Sequence, residues 1–110
     1  MERRIVITGM GTVNPLGQDV ESSWQRVKRG ENGISPIDLF DASPYPSQVA
    51  GIIHDLNSDP YLDSKEARRL DRFTVLGLMA AAQAVADAGL GDNDIDPLRK
   101  GVLLGTGIGG

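Results

Sequence analysis

One stretch limits what this chain can fold into more than any other. From Phe73 to Ala88 a helical pattern carries a single formal charge, Asp87, and is otherwise apolar or small on every face. A helix that is apolar all round is buried on all sides. Ala80, Ala81, Ala82, Ala84, Ala86 and Ala88, with Gly77, let flanking layers approach closely. The segment therefore predicts a helix layer held between sheets. That needs more surface than 110 residues supply, so the chain reads as the front portion of something larger.

The flanking segments fit an α/β arrangement. Arg4-Ile-Val-Ile-Thr8 is short and β-branched and reads as a buried strand. Gly9 and Gly11 punctuate its end, and a turn follows through Asn14-Pro15-Leu16-Gly17. Asp19 is an N-cap candidate for a helix in which Val20, Trp24 and Val27 fall at i, i+4 and i+7. Lys28-Arg29 then Gly30 suit its C-terminus. That stripe predicts a helix lying on a sheet.

Residues 31–62 hold Pro36, Pro44, Pro46 and Pro60 and read as irregular, with a short strand within Val49–Ile53. Helical pattern resumes at Asp63 and restarts at Asp71, a second N-cap candidate. Asp87-Ala-Gly89-Leu-Gly-Asp92 ends it, and Asp96-Pro97 turns the chain into a last strand, Val102-Leu103-Leu104. Two strands joined through helices predict a parallel pairing. The chain then leaves that strand in the glycine-rich loop Gly105-Thr-Gly-Ile-Gly-Gly110. Strand-then-glycine turns bring backbone N–H groups close to ligands.

Composition removes several function classes. Eleven basic against fifteen acidic residues give a net charge of −4, which does not favour nucleic acid. With no cysteine there is no disulfide, thiolate nucleophile or thiolate metal site. The low-charge stretch at 73–88 is too short to span a bilayer comfortably. The N-terminus shows no secretory pattern, so a reducing, cytoplasmic setting with no membrane partner is the expectation.

Gly105-x-Gly107-x-x-Gly110 has dinucleotide-fingerprint spacing, and Thr8–Gly17 superficially resembles a phosphate turn. The second places Val13 where glycine is wanted and Pro15 where a helix should start. Tight turns between buried strands account better for both, leaving a nucleotide-binding oxidoreductase as a rival reading. His54, the single histidine, cannot build a usual metal site. Asp55 beside it could pair with it, yet no nucleophile accompanies them, and an exposed loop histidine is the simpler reading. Lys65, Arg68, Arg69 and Arg72 fall at i, i+3, i+4 and i+7, one basic stripe on a helix. Spacing alone favours a solvated face. The concentration of four of eleven basic residues on an acidic chain also suits docking of an acidic partner.

Taken together the segments resemble the β-ketoacyl-acyl-carrier-protein synthases, the elongating condensing enzymes of type II fatty acid synthesis. The pattern looks closest to the synthase II subgroup. The resemblance rests on Arg4-Ile-Val-Ile-Thr-Gly-Met-Gly11, Asn14-Pro-Leu-Gly17, Trp24 with Gly30 and Gly33-Ile34, and Phe40-Asp41. It continues through Lys65-Glu66-Ala-Arg68-Arg69-Leu-Asp71-Arg-Phe73 and Gly101-Val-Leu-Leu-Gly105-Thr-Gly-Ile-Gly-Gly110. Order and spacing together make it specific, and it covers essentially the whole chain.

The resemblance implies a thiolase-like layered fold (α/β/α/β/α in the full enzyme), of which residues 1–110 are an incomplete first part of the N-terminal half. It implies a decarboxylative Claisen condensation by a cysteine and two histidines downstream of Gly110, so that 1–110 alone is expected to be inactive. No cofactor and no metal are called for. Lys65, Arg68 and Arg69 match a basic surface that meets acyl carrier protein, and Arg72 extends it geometrically. Ile108 matches a side chain that lines and gates the acyl pocket. A homodimer is expected for the full-length protein. A non-catalytic, chain-length-factor-like partner shares all these features up to Gly110. A modular polyketide ketosynthase is disfavoured by Asn14-Pro-Leu-Gly17, where an Arg-Phe-Pro-type turn is usual.

Overall fold

Helix starts and stops come from local chemistry, and the first helix shows it. The computed structural model describes residues 1–91 and 95–110. Helix α1 is Val20–Lys28. Asp19 is extended (φ −153°, ψ 170°), and its carboxylate accepts the Ser22 N–H at 2.7 Å. At the other end Gly30 takes φ +69°, donates to Val27 O at 2.9 Å, and lets Glu31 N–H reach Arg26 O at 3.1 Å. That pair of bonds is a Schellman closure. The Glu31 carboxylate then bridges Arg26 and Arg29.

Strands β1 (Ile34–Pro36) and β2 (Val49–Gly51) form an antiparallel pair, with Ile34 opposite Gly51 and Pro36 opposite Val49. β2 is the expected short strand, trimmed to three residues; β1 lies inside a region read as irregular. Between them Gln48 Nε2 donates to Ala42 O (2.8 Å) and Tyr45 O (2.6 Å), and Phe40 meets Tyr45 edge-on at 5.9 Å. Asn14 and Gly17 exchange backbone hydrogen bonds across Pro15-Leu16. This turn rests on the strand pair, because Gly33 and Gly51 carry no Cβ to meet Pro15 at 3.1 Å.

Helices α2 (Ser64–Ala67) and α3 (Arg72–Asp87) follow, separated where the sequence placed a restart at Asp71. Asp71 is the N-cap by position but makes no side-chain capping bond. Gly89 closes α3 with a second Schellman arrangement, φ +66°, through Gly89 N–H to Ala86 O and Leu90 N–H to Val85 O. Asp92, the end of that expected stop signal, lies outside the described residues. A 3-10 turn, Pro97–Arg99, precedes the last segment.

Three expectations are corrected. Arg4–Thr8 and Val102–Leu104 form no strand, and Ile5 and Leu103 are 93% and 98% exposed. A strand satisfies its N–H and C=O groups by pairing with a neighbour, and neither segment meets one among the described residues. The two-stranded antiparallel sheet, not a parallel pair, is therefore the sheet among the described residues. Second, α1 does not lie on a sheet, and Trp24 is 54% exposed. Third, α3 is not enclosed. Val75 and Met79 are buried, while Leu78 and Val85 remain almost half exposed.

What α3 does have is a close backbone neighbour. Backbone of the segment through Gly9 and Gly11 runs against it, so near that a Cβ on Gly11 would strike Ala80 O and come within 2.8 Å of Gln83 Cβ. Polar side chains of α3 hold that segment: Asp87 accepts Met10 N–H at 3.0 Å, and Gln83 accepts Thr12 N–H at 3.1 Å while donating to Gln18 O at 2.7 Å.

Candidate functional site

The basic residues sit at a break between helices. Asp63 caps α2 by accepting Lys65 N–H at 3.0 Å, so Lys65 lies in the first and only full turn. Arg68 ends the helix in αR geometry and donates its N–H to Ser64 O at 3.3 Å; Arg69 N–H reaches Glu66 O at 3.0 Å. The stripe is thus divided, because α2 stops at Ala67 and α3 starts at Arg72. Lys65, Arg68 and Arg69 remain exposed neighbours on the α2 side, with no carboxylate within 4.0 Å of their charged nitrogens among the described residues. Arg72 leaves the set: its Nη2 donates to Ile53 O at 2.6 Å. At the break is a groove of about 330 Å³ whose lining includes Leu56, Asp59, Arg68, Leu70 and Arg72.

The glycine loop comes to the same junction. Thr106 Oγ1 accepts Gly109 N–H at 3.0 Å, and Gly109 takes φ +84°, a conformation a side chain resists. Gly110 lies against the Asp71 carboxyl, where a Cβ would be 2.6 Å from Oδ2, and a Cβ on Gly109 would be 3.9 Å from Phe73 Cζ. Ile108, between these glycines, is fully exposed and does not line the groove at the helix break. Asp71 and Phe73 are thus where the loop and the start of α3 meet. Sequence reasoning gave them no such role, since the partners stand almost forty residues apart and share no local pattern.

Other candidates resolve differently. His54 is a half-exposed loop residue as expected, but the nearby carboxylate is Asp38 (Nε2 to Oδ2 3.8 Å) rather than Asp55. Asp55 instead adopts φ +51°, and its carbonyl accepts Gln18 Nε2 at 3.0 Å. No cluster of metal-ligand side chains exists among the described residues. Gly9 and Gly11 serve close approach to α3, neither a phosphate cradle nor a turn between buried strands. Among the described residues no helix is long and apolar enough to cross a membrane.

Two capped helices, a short antiparallel strand pair and a long apolar helix with the Gly9–Gly11 segment against it make this a mixed α/β chain. Comparison with protein families makes the class specific: residues 2–110 match the family described as beta-ketoacyl synthase, N-terminal domain. The chain belongs to that family, and membership implies a thiolase-like fold. Among curated proteins it is 46% identical, over 98% of its length, to 3-oxoacyl-[acyl-carrier-protein] synthase 2 of Staphylococcus aureus (strain N315). It is 42% identical, over 99% of its length, to the protein of the same name from Synechocystis sp. (strain ATCC 27184 / PCC 6803 / Kazusa). In both cases the chain spans 26% of the relative.

Proposed function

We propose that residues 1–110 belong to a 3-oxoacyl-[acyl-carrier-protein] synthase that elongates acyl chains in type II fatty acid synthesis. The carrying observation is 46% identity, maintained over nearly the whole chain, to a synthase of that name. In this reading the full protein is a cytoplasmic homodimer of layered α/β/α/β/α halves, and α3 is part of its buried helical layer.

The chemistry follows from what a thioester condensation needs. A cysteine thiolate takes the acyl group and releases the carrier thiol. Malonyl-carrier protein loses carbon dioxide, and its carbanion attacks the enzyme thioester, forming the carbon–carbon bond and freeing the thiolate. Two histidines stabilise the developing enolate, and backbone amides hold the thioester oxyanion. Residues 1–110 contain no cysteine, and His54, their single histidine, matches neither histidine that the resemblance implies, so in this reading the cysteine and both histidines lie outside residues 1–110. The part assigned to this chain is delivery. Lys65, Arg68 and Arg69 meet the acidic face of acyl carrier protein, and attraction between opposite charges raises the encounter rate. Ile108 gates the acyl pocket, with flanking glycines allowing the backbone to move.

Full-length protein supplied with acyl- and malonyl-carrier protein is expected to release carbon dioxide and yield a 3-oxoacyl-carrier protein two carbons longer. Absence of both products from folded protein would favour the non-catalytic partner instead.

A further inference from the structure

The four basic residues do not share one task. Arg72 opens α3, and its guanidinium reaches back nineteen residues to the Ile53 carbonyl at 2.6 Å. That carbonyl belongs to a loop already fixed from its other side. Gln18 Nε2 donates to Asp55 O at 3.0 Å, and Asn57 N–H donates to Gln18 Oε1 at 2.9 Å. The same loop supplies Leu56, Ser58 and Asp59 to the groove that Ala67, Arg68 and Leu70 also line. A four-residue helix has too few hydrogen bonds to hold its own orientation. Something outside α2 must set the direction in which Lys65, Arg68 and Arg69 point, and the Arg72 bond ties the break after them to an anchored loop.

We propose that Arg72 is a positioning residue for carrier-protein docking: by bonding the Ile53 carbonyl it holds the α2–α3 break so that Lys65, Arg68 and Arg69 are presented together. This rests on the docking reading above. Arg72 is then not a fourth docking cation, and what it needs is the reach and planar donor set of a guanidinium rather than positive charge alone.

The experiment compares full-length Arg72→Lys, Arg72→Met and the triple variant Lys65→Glu/Arg68→Glu/Arg69→Glu. Steady-state kinetics are read with acyl-carrier protein and with an acyl thioester of a small thiol that makes no docking contact. Arg72→Lys and Arg72→Met are expected to raise KM for the carrier protein alike, by roughly fivefold, the loss of one charge-assisted hydrogen bond at the surface. The kcat and the small-thioester activity should stay at wild-type values. A lysine variant with normal KM beside a weakened methionine variant makes Arg72 a docking cation and overturns the proposal. Unchanged KM in both, or equal loss of small-thioester activity, also overturns it. A triple variant with normal carrier KM removes the docking reading and this inference with it. A weakened triple beside unchanged Arg72 variants removes this inference alone.

Discussion

Asp19 holds the start of α1 through two of its groups. Its carboxylate accepts the Ser22 N–H, and its carbonyl accepts both the Ser23 N–H (3.2 Å) and the Ser23 hydroxyl (2.6 Å). Ser23 is buried and also accepts Asn14 Nδ2 at 2.9 Å, which links the cap to the Asn14–Gly17 turn. The Ser22 backbone N–H, with its hydroxyl adding to it, holds the Asp19 carboxyl below the usual carboxylate range, against a small opposing effect of burial. A depressed folded-state pKa stabilises above the unfolded value, and that contribution is lost as pH falls through the folded one. Replacing Asp19 by Ala should cost about 1 kcal/mol of local stability. In the full protein this is roughly a fivefold loss of amide-exchange protection over the first turn of α1 at neutral pH. Compared at equal pH, the gap between the wild type and the Asp19→Ala variant should narrow on acidification to the part a neutral acceptor supplies, which Asp19→Asn should keep throughout. A gap that does not narrow below the carboxylate range would show that the charge adds nothing to the cap.

The long helix α3 depends on glycine in a different segment. Gly11 has no Cβ where Ala80 O and Gln83 sit, and the obstacle is helix backbone, which cannot swing aside as a side-chain tip can. Gly11→Ala is therefore expected to destabilise by about 3 kcal/mol, the upper end for overpacking. The measurement is the thermal midpoint of the full protein. An unchanged midpoint would mean that segment 9–12 does not lie on α3. This contact was illegible in the sequence, where Gly9 and Gly11 read as a turn, because its reason lies some seventy residues away. Legible features were those whose cause is local: Asp19 and Gly30 around α1, the restart at Asp71, and the trimmed strand at Val49. Ile34–Pro36 was missed because pairing with Val49–Gly51 makes it a strand, and no propensity of its own predicts one. The i, i+3, i+4, i+7 spacing of the basic stripe holds only within one helix, and Arg72, beyond the restart at Asp71, turns to the Ile53 carbonyl instead. Spacing alone left Lys65, Arg68 and Arg69 as a solvated face; the family resemblance is what made them a candidate site.

The whole chain is open rather than closed on a core. Its radius of gyration is 17.0 Å, against about 13 Å for a compact domain of this length. It exposes 9066 Å², about half as much again as a compact monomer of its mass. Buried apolar side chains among the described residues are Ala42, Val75 and Met79, while Ile5, Ile7, Val102, Leu103 and Leu104 are largely in solvent. Apolar surface of this extent on a free protein drives association, and the unpaired apolar segments offer backbone with which other chains can pair. The hydrogen bonds of the two Schellman closures and the Asn14 turn fix local geometry, but they contribute little cooperativity without a shared core. An isolated 1–110 polypeptide is therefore expected to bind a hydrophobic dye, to self-associate with rising concentration, and to melt without a cooperative transition. Sedimentation at several concentrations, with calorimetry on the same samples, checks this. A monomer with a sharp, reversible heat-capacity peak would show that 1–110 closes a core of its own, and the picture of α3 as a helix awaiting its flanking layers would then fail.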